Sequence, residues 1–268
     1  MDTLPQELAD RIFDFSHDDL PTLKHCSLVS KRWRFSCGHH LFRSLTLNPS
    51  NALDVLAFSM ANNNDTIFSR VKRLKVSEEQ LPLLSIPWVV DASTALHHFS
   101  SVTCLCLHGI VWREPVSLIS LTGGFPYLRE LEIDNIVVHS MDILLQAIVG
   151  FLSLDRLSLR GIGCLVKPKF FHALSLEGRP CIHRLEFLED TQDIFLNWLA
   201  CFGALSMANV TSLRVGAIKK HLLPSFGDVI RTLGASLERL EIGFNMLGGQ
   251  SVKKGETKLN FSFFLFSV

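Results

Sequence analysis

Apolar residues recur at helical spacing from the first residues of the chain. Leu4, Leu8 and Ile12 fall four apart with Phe13 beside them, while Glu7, Asp10, Arg11 and Asp14 take the other side. That spacing predicts an amphipathic helix over about 5–14. Pro5 suits its first turn, where the missing N–H has no intrahelical partner, and Thr3 with Gln6 has the spacing of a capping box. Asp18 or Asp19 can cap a second helix that carries Leu20, Pro21, Leu23, Cys26 and Leu28. Ser30 can cap a third, in which Trp33, Cys37 and Leu41 again repeat every four residues. Three helices in some 40 residues are too small a body to bury all these faces by themselves. Spacing leaves open whether the surplus closes the protein's own core or meets a partner.

From residue 42 the pattern changes to three apolar positions spaced φ-x-x-φ-x-φ. It reads FRSLTL (42), VKRLKV (71), VTCLCL (102), LRELEI (128), LDRLSL (154), IHRLEF (182), VTSLRV (210) and LERLEI (237). The intervals of 29, 31, 26, 26, 28, 28 and 27 mark an internal repeat. Helix-like stretches lie between copies, at 51–63, 140–152, 191–205 and 221–234. Each copy therefore predicts a strand whose last two apolar positions point inward, with the alternate residues on an open face. On that face fall Arg73 and Lys75, then Cys104, Cys106 and His108, then Glu130, Glu132 and Asp134. Arg156, Ser158 and Arg160 follow, then Arg184 and Glu186, Ser212 and Arg214, and Arg239 and Glu241. Charges of both signs suit a protein partner better than a nucleic acid.

Composition changes the picture little. The 268 residues are 47% apolar, with 26 basic and 26 acidic side chains, so there is no global attraction to nucleic acid or an anionic membrane. Charge is polarised only at the start, from net −5 over residues 1–20 to net +5 over 21–47. Seven irregularly spaced cysteines without a C-x-x-C pair read as reduced thiols of a cytoplasmic or nuclear protein. No apolar window approaches the ~20 residues of a membrane span, and no secretory signal begins the chain.

Catalytic and metal motifs are not found. The chain lacks a nucleophile elbow, a P-loop, H-E-x-x-H and a Gly-rich dinucleotide turn, which predicts no catalytic residue and no cofactor. Cys104, Cys106 and His108 share one strand, where same-face neighbours stand about 7 Å apart. Three zinc ligands from such a row fit poorly, and Cys26, Cys37, His39 and His40 lack zinc-finger spacing, so no metal site is expected. The basic SRVKRLK (69–75) overlaps a repeat strand. The end of the sequence, GGQSVKKGETKLNFSFFLFSV, has a polar stretch and then a strand-like apolar one. Residues 244–268 read as an irregular tail, in an array cut short.

The blocks LPQELADRIFDF, DDLPTLKHCSLVSKRWR and HLFRSLTL together closely resemble the F-box, in particular that of fungal F-box proteins. Landmarks are Leu4-Pro5, Glu7, Leu8, Ile12, Phe13, Leu20, Leu23, Cys26, Leu28, Val29, Lys31 and Trp33. The strand-and-helix period resembles the leucine-rich repeat, although the asparagine of that repeat's ninth position occurs only as Asn245. Ile110, Ile136, Ile162 and Ile218, or Glu79 and Asp190, stand there in other copies. The resemblances imply an α/β chain with a three-helix F-box over 1–47 and a solenoid of parallel strands and outer helices over 48–243.

Functionally, they imply a non-catalytic substrate-recognition subunit of an SCF-type ubiquitin ligase. Leu4, Pro5, Leu8, Ile12, Leu20, Leu28, Val29 and Trp33 would bind a Skp-type adaptor, or support that interface, and the adaptor would sit on a cullin scaffold. Arg73, Lys75, Glu130, Glu132, Asp134, Arg156, Arg160, Arg184 and Arg214 would meet the target protein. No nucleic acid or membrane partner is implied. The alternative is a repeat-protein interaction module whose F-box acts outside ubiquitination.

Overall fold

The computed structural model describes residues 4–61, 68–78, 95–112, 123–166, 180–188, 209–216, 218–234, 236–243 and 259–261. Three helices open the fold: α1 (Gln6–Phe15), α2 (Leu20–Val29) and α3 (Lys31–Leu41). The expected caps for the second and third form. The Thr22 N–H donates to Asp19 Oδ1 at 3.1 Å, and the Trp33 N–H donates to Ser30 Oγ at 3.2 Å. Helix α1 starts differently. Pro5 is its N-cap without a side-chain cap bond, and Thr3 lies outside the described residues. Gln6 Nε2 instead donates to Asp10 Oδ1 at 2.6 Å and Ser36 Oγ at 2.7 Å, and Gln6 Oε1 accepts from Arg32. That side chain ties α1 to α3.

A mostly parallel α/β region follows. Its strands are β1 (Ser44–Leu47), β2 (Arg73–Ser77), β3 (Cys104–His108), β5 (Glu130–Asp134), β7 (Arg156–Arg160), β9 (Arg184–Leu188), β10 (Ser212–Val215) and β11 (Arg239–Ile242). Each φ-x-x-φ-x-φ copy supplies one of them, and all eight pair in chain order, in parallel. A strand that recurs once per period must return to the same end before it pairs, which gives the parallel arrangement. The helices α4 (Ala52–Ala61), α5 (Met141–Gly150) and α6 (Leu223–Leu233) fall in three of the expected stretches. The stretch 191–205 lies outside the described residues.

Register carries the fold. The middle apolar position of every copy is leucine, and these align as one row: Leu45, Leu74, Leu105, Leu131, Leu157, Leu185, Leu213 and Leu240. A second row runs Leu47, Val76, Leu107, Ile133, Leu159, Phe187, Val215 and Ile242. Both rows join one core with Met141, Leu144, Leu145 and Ile148 of α5 and Phe226, Val229 and Leu233 of α6. Intervals between copies vary by five residues, yet the register never slips. One hydrogen-bond device recurs at all seven junctions. The carbonyl of the residue just before one strand accepts the N–H groups of two consecutive residues in the next copy, as Lys72 O does from Thr103 and Cys104 at 2.9 Å. This bulge-like pair pins the start of each strand, and the connections absorb the length differences.

After the strand, three copies turn through a left-handed residue: Gly109 (φ 68°), Asn135 (φ 53°) and Gly161 (φ 58°). The next residue, Ile110, Ile136 or Ile162, enters the core. Short strands β4 (Val111–Trp112), β6 (Val137–Val138) and β8 (Gly163–Cys164) then form a second parallel sheet. In these copies a left-handed turn and a buried isoleucine close the end of the strand. Glu79, Asp190 and Asn245 lie outside the described residues. The tail is not wholly irregular, since β12 (Leu259–Phe261) pairs antiparallel with β11. Among the described residues no helix is long and apolar enough to cross a membrane.

Candidate functional site

The apolar stripe of α1 divides between two jobs. Ala9 and Phe13 are buried with Leu23 and Cys37, and Leu4, Cys26, Trp33 and Leu41 pack against them. The Phe13 and Trp33 rings meet edge to face at 5.4 Å between centroids. Leu8 and Ile12 turn away from this small core and are 47% and 52% exposed. Leu20, Leu28 and Val29 of α2 are likewise exposed, Leu28 to 75%, and so is Pro5 at the start of α1. Of the eight adaptor-binding candidates, six are therefore available to a partner, while Leu4 and Trp33 hold the helices together. Phe15 and Phe35 are also exposed and were missed, because neither continues the every-fourth-residue stripe. The Phe35 ring lies 4.5 Å under the Arg70 guanidinium, whose Nη1 donates to the Phe35 carbonyl at 3.4 Å. Phe35 thus marks the junction of the helices with the region behind them.

So many large apolar side chains on three short helices exceed the scattered singles of an ordinary surface. A buried inner face and an apolar outer one define a helical docking module. Residues 1–48 match the F-box-like family model. The chain carries an F-box-like domain, and domains of this class generally bind Skp-type adaptors. No curated protein matches the chain.

The second candidate face is the outward side of the large sheet. The expected alternation holds: inward positions are buried through the middle of the sheet and partly buried at its ends, as at Leu45, Leu240 and Ile242, and Arg73, Lys75, Arg160 and Arg184 are exposed. The charges, however, largely engage one another. Arg73 Nη2 donates to Glu132 Oε1 at 2.8 Å, reaching across β3 to do so. Asp134 meets His108 Nδ1 at 3.2 Å. Glu186 lies between Arg156 at 2.7 Å and Arg214 at 3.9 Å. Arg214 also approaches Glu241 at 3.4 Å, and Glu241 pairs with Arg239. Lys75, Glu130 and Arg184 join no ion pair among the described residues, so the target-binding candidates fall into a linked set and a free set. Linear sequence did not show this because the cross-strand partners lie 26–59 residues apart.

Cys104 departs from its expected exposure and is buried. Its small side chain sits in register between Arg73 and Glu130, and the longer neighbours cover it. Cys104 Sγ stands 4.0 Å from Cys106 Sγ, and the Cys106 thiol donates to Glu132 Oε2 at 3.1 Å. The hydrogen bond between the sulfurs raises Cys104 and lowers Cys106 from the ordinary thiol value. Arg73, hydrogen-bonded to the Cys106 sulfur, is held above its own usual value. One strand alone brings no three ligands together, but β5 in register beside β3 adds a carboxylate to the two thiols. The structure groups Cys104 and Cys106 with Glu132, their ligand atoms all within 4.8 Å of one another, rather than with His108.

A further trio was not anticipated. Asp155 Oδ1 holds His183 Nδ1 at 2.6 Å, and His183 Nε2 lies 3.9 Å from the exposed Cys181 Sγ. Cys181 is thus open to solvent beside an imidazole. Cys37 is the opposite case, since burial pushes its thiol up to about 11. Limited iodoacetamide treatment of the native protein, read by peptide mass spectrometry, is expected to label the exposed Cys181 well before the buried Cys37. Equal labelling of the two would refute these environments.

Proposed function

We propose that this chain is a substrate-recognition subunit of an SCF-type ubiquitin ligase. An F-box of the fungal type docks on a Skp-type adaptor, itself held on a cullin. A leucine-rich-repeat solenoid over 48–243 holds a target protein on its open sheet face. The observation that carries the reading is the F-box-like match over residues 1–48 together with Leu8, Ile12, Leu20, Leu28 and Val29 left exposed on those helices. The in-register leucine row, one leucine per copy, supports the repeat assignment. In this role the chain performs no chemistry itself. It works in the cytoplasm or nucleus, raising the effective concentration of the target beside the conjugating enzyme. It needs no cofactor, nucleic acid or membrane.

The test is co-purification of the full chain with a recombinant Skp-type adaptor. A stable stoichiometric complex supports the reading. A folded chain that captures no adaptor rejects it, and points to an interaction module acting outside ubiquitination. Proximity labelling with and without proteasome inhibition then finds the target, as a neighbour that accumulates under inhibition.

A further inference from the structure

The outward faces of β3 and β5 bring two kinds of metal-ligating side chain into register. Cys104, Cys106 and His108 face Glu130, Glu132 and Asp134, pair by pair. The His108 ring is engaged with Asp134, and the remaining soft donors converge on one carboxylate. Two sulfurs that each bind zinc at about 2.3 Å in a tetrahedron stand roughly 3.8 Å apart, and a sulfur and a carboxylate oxygen roughly 3.5 Å apart. Here the sulfurs are 4.0 Å apart, and Cys106 Sγ lies 3.1 Å from Glu132 Oε2. Only small side-chain rotations separate this grouping from a coordination shell. Burial of Cys104 removes water from one side, and the open sheet face leaves a path of entry on the other.

We propose that Cys104, Cys106 and Glu132 form a binding site for a thiophilic divalent cation of the zinc type. The fourth position faces the open side of the sheet, where water or a side chain of a bound protein completes the shell. The same geometry supplies a competitor. The Arg73 guanidinium holds the carboxylate's other oxygen, Glu132 Oε1, at 2.8 Å and hydrogen-bonds the Cys106 sulfur, so a cation at the site meets its positive charge. Arg73 is about half exposed (49%), so it can swing into solvent. A cation on Cys106 Sγ and Glu132 Oε2 therefore repels Arg73 and loosens its hold on this face, and metal would exchange a positive arginine anchored over the cysteines for one freer to reach a partner. The site depends on the β3–β5 register and not on adaptor docking.

Cobalt(II) titration of the reduced full-length chain tests this, with zinc competition against a chromophoric chelator for affinity. One equivalent of cobalt with a thiolate-to-metal charge-transfer band is expected, and excess zinc should bleach it. Losing even a supporting partner of a metal ligand costs roughly 10–100-fold in affinity. Cys106→Ser and Glu132→Gln should therefore weaken binding by at least about tenfold. Arg73→Ala, which removes the competitor, should tighten it, while Cys181→Ser leaves it unchanged. Glu132 and Arg73 are surface positions, so their variants report on the site even if a cysteine variant misfolds. Unchanged affinity in Cys106→Ser and Glu132→Gln, loss of the band in Cys181→Ser, or binding no tighter in Arg73→Ala would overturn the assignment.

Discussion

Replacing Leu8 and Ile12 together with aspartate is expected to abolish capture of a Skp-type adaptor while leaving the three helices folded. Both side chains are about half exposed in the free chain, at 47% and 52%. Docking would bury the remainder, a gain of about 1 kcal/mol each when full burial is worth about 1.5–3. Each aspartate would also leave an unpaired carboxylate against an apolar surface, costing about 1–3 kcal/mol or more. The total of about 4 kcal/mol or more corresponds to roughly a thousandfold weaker binding. Thermal unfolding followed by circular dichroism should shift only modestly, because the half of each side chain already buried is worth about 1 kcal/mol. Phe13→Ala provides the contrast. It empties the centre of a four-residue core and should cost about 3–5 kcal/mol of stability. Biolayer interferometry with immobilised adaptor separates the two effects. Wild-type affinity in a folded Leu8→Asp/Ile12→Asp variant would remove the docking assignment.

Leu157→Ala is expected to destabilise the sheet region by about 2–5 kcal/mol, a large share of the roughly 5–15 kcal/mol that holds a typical domain together. Leu157 is fully buried in the middle of the leucine row, between Leu131 and Leu185. A cavity there faces neighbours on both sides, and neither can collapse into it without breaking register with the next strand. In a stacked array each copy is stabilised chiefly by its neighbours, so the loss would spread through the sheet. Ser158→Ala, one residue along and on the outward face, should stay within about 0.5 kcal/mol of wild type. Urea denaturation of the two variants checks the pair. Equal midpoints would mean that the row is not the load on which the sheet depends.

Much of this architecture is legible in the chain. A period-two pattern with one face buried fixes which residues of a strand point inward, so Leu131 and Ile133, or Leu157 and Leu159, could be assigned from spacing alone. Ser30 and Asp19 announced their helix starts in the same way, through side chains suited to the bond they make. Other features depend on what lies beside a residue in space. Ala9 is too small to register as part of an apolar stripe, yet with Phe13 it sets which side of α1 is inner. That choice releases Leu8 and Ile12 to the surface. Cys104 obeys the alternation and is nevertheless buried, because Arg73 and Glu130 stand on either side. Glu132 joins the two cysteines only once β5 lies against β3 at one register, 26 residues further along the chain. His183 and Asp155 likewise meet through the sheet alone.

The unbroken register has a metrical consequence. Neighbouring strands lie about 4.8 Å apart, so the eight parallel strands set out a scale of roughly 34 Å from β1 to β11, with one division per copy. The three helices sit at its zero, joined directly to β1 through Phe42 and Arg43. A ligand gripped at Arg73 and one gripped at Arg214 would be held at distances from the docking end that differ by some five divisions, or about 24 Å. Gain or loss of a whole copy would shift that distance by one division and leave every leucine in its row. Reach, on this chain, is counted in repeats.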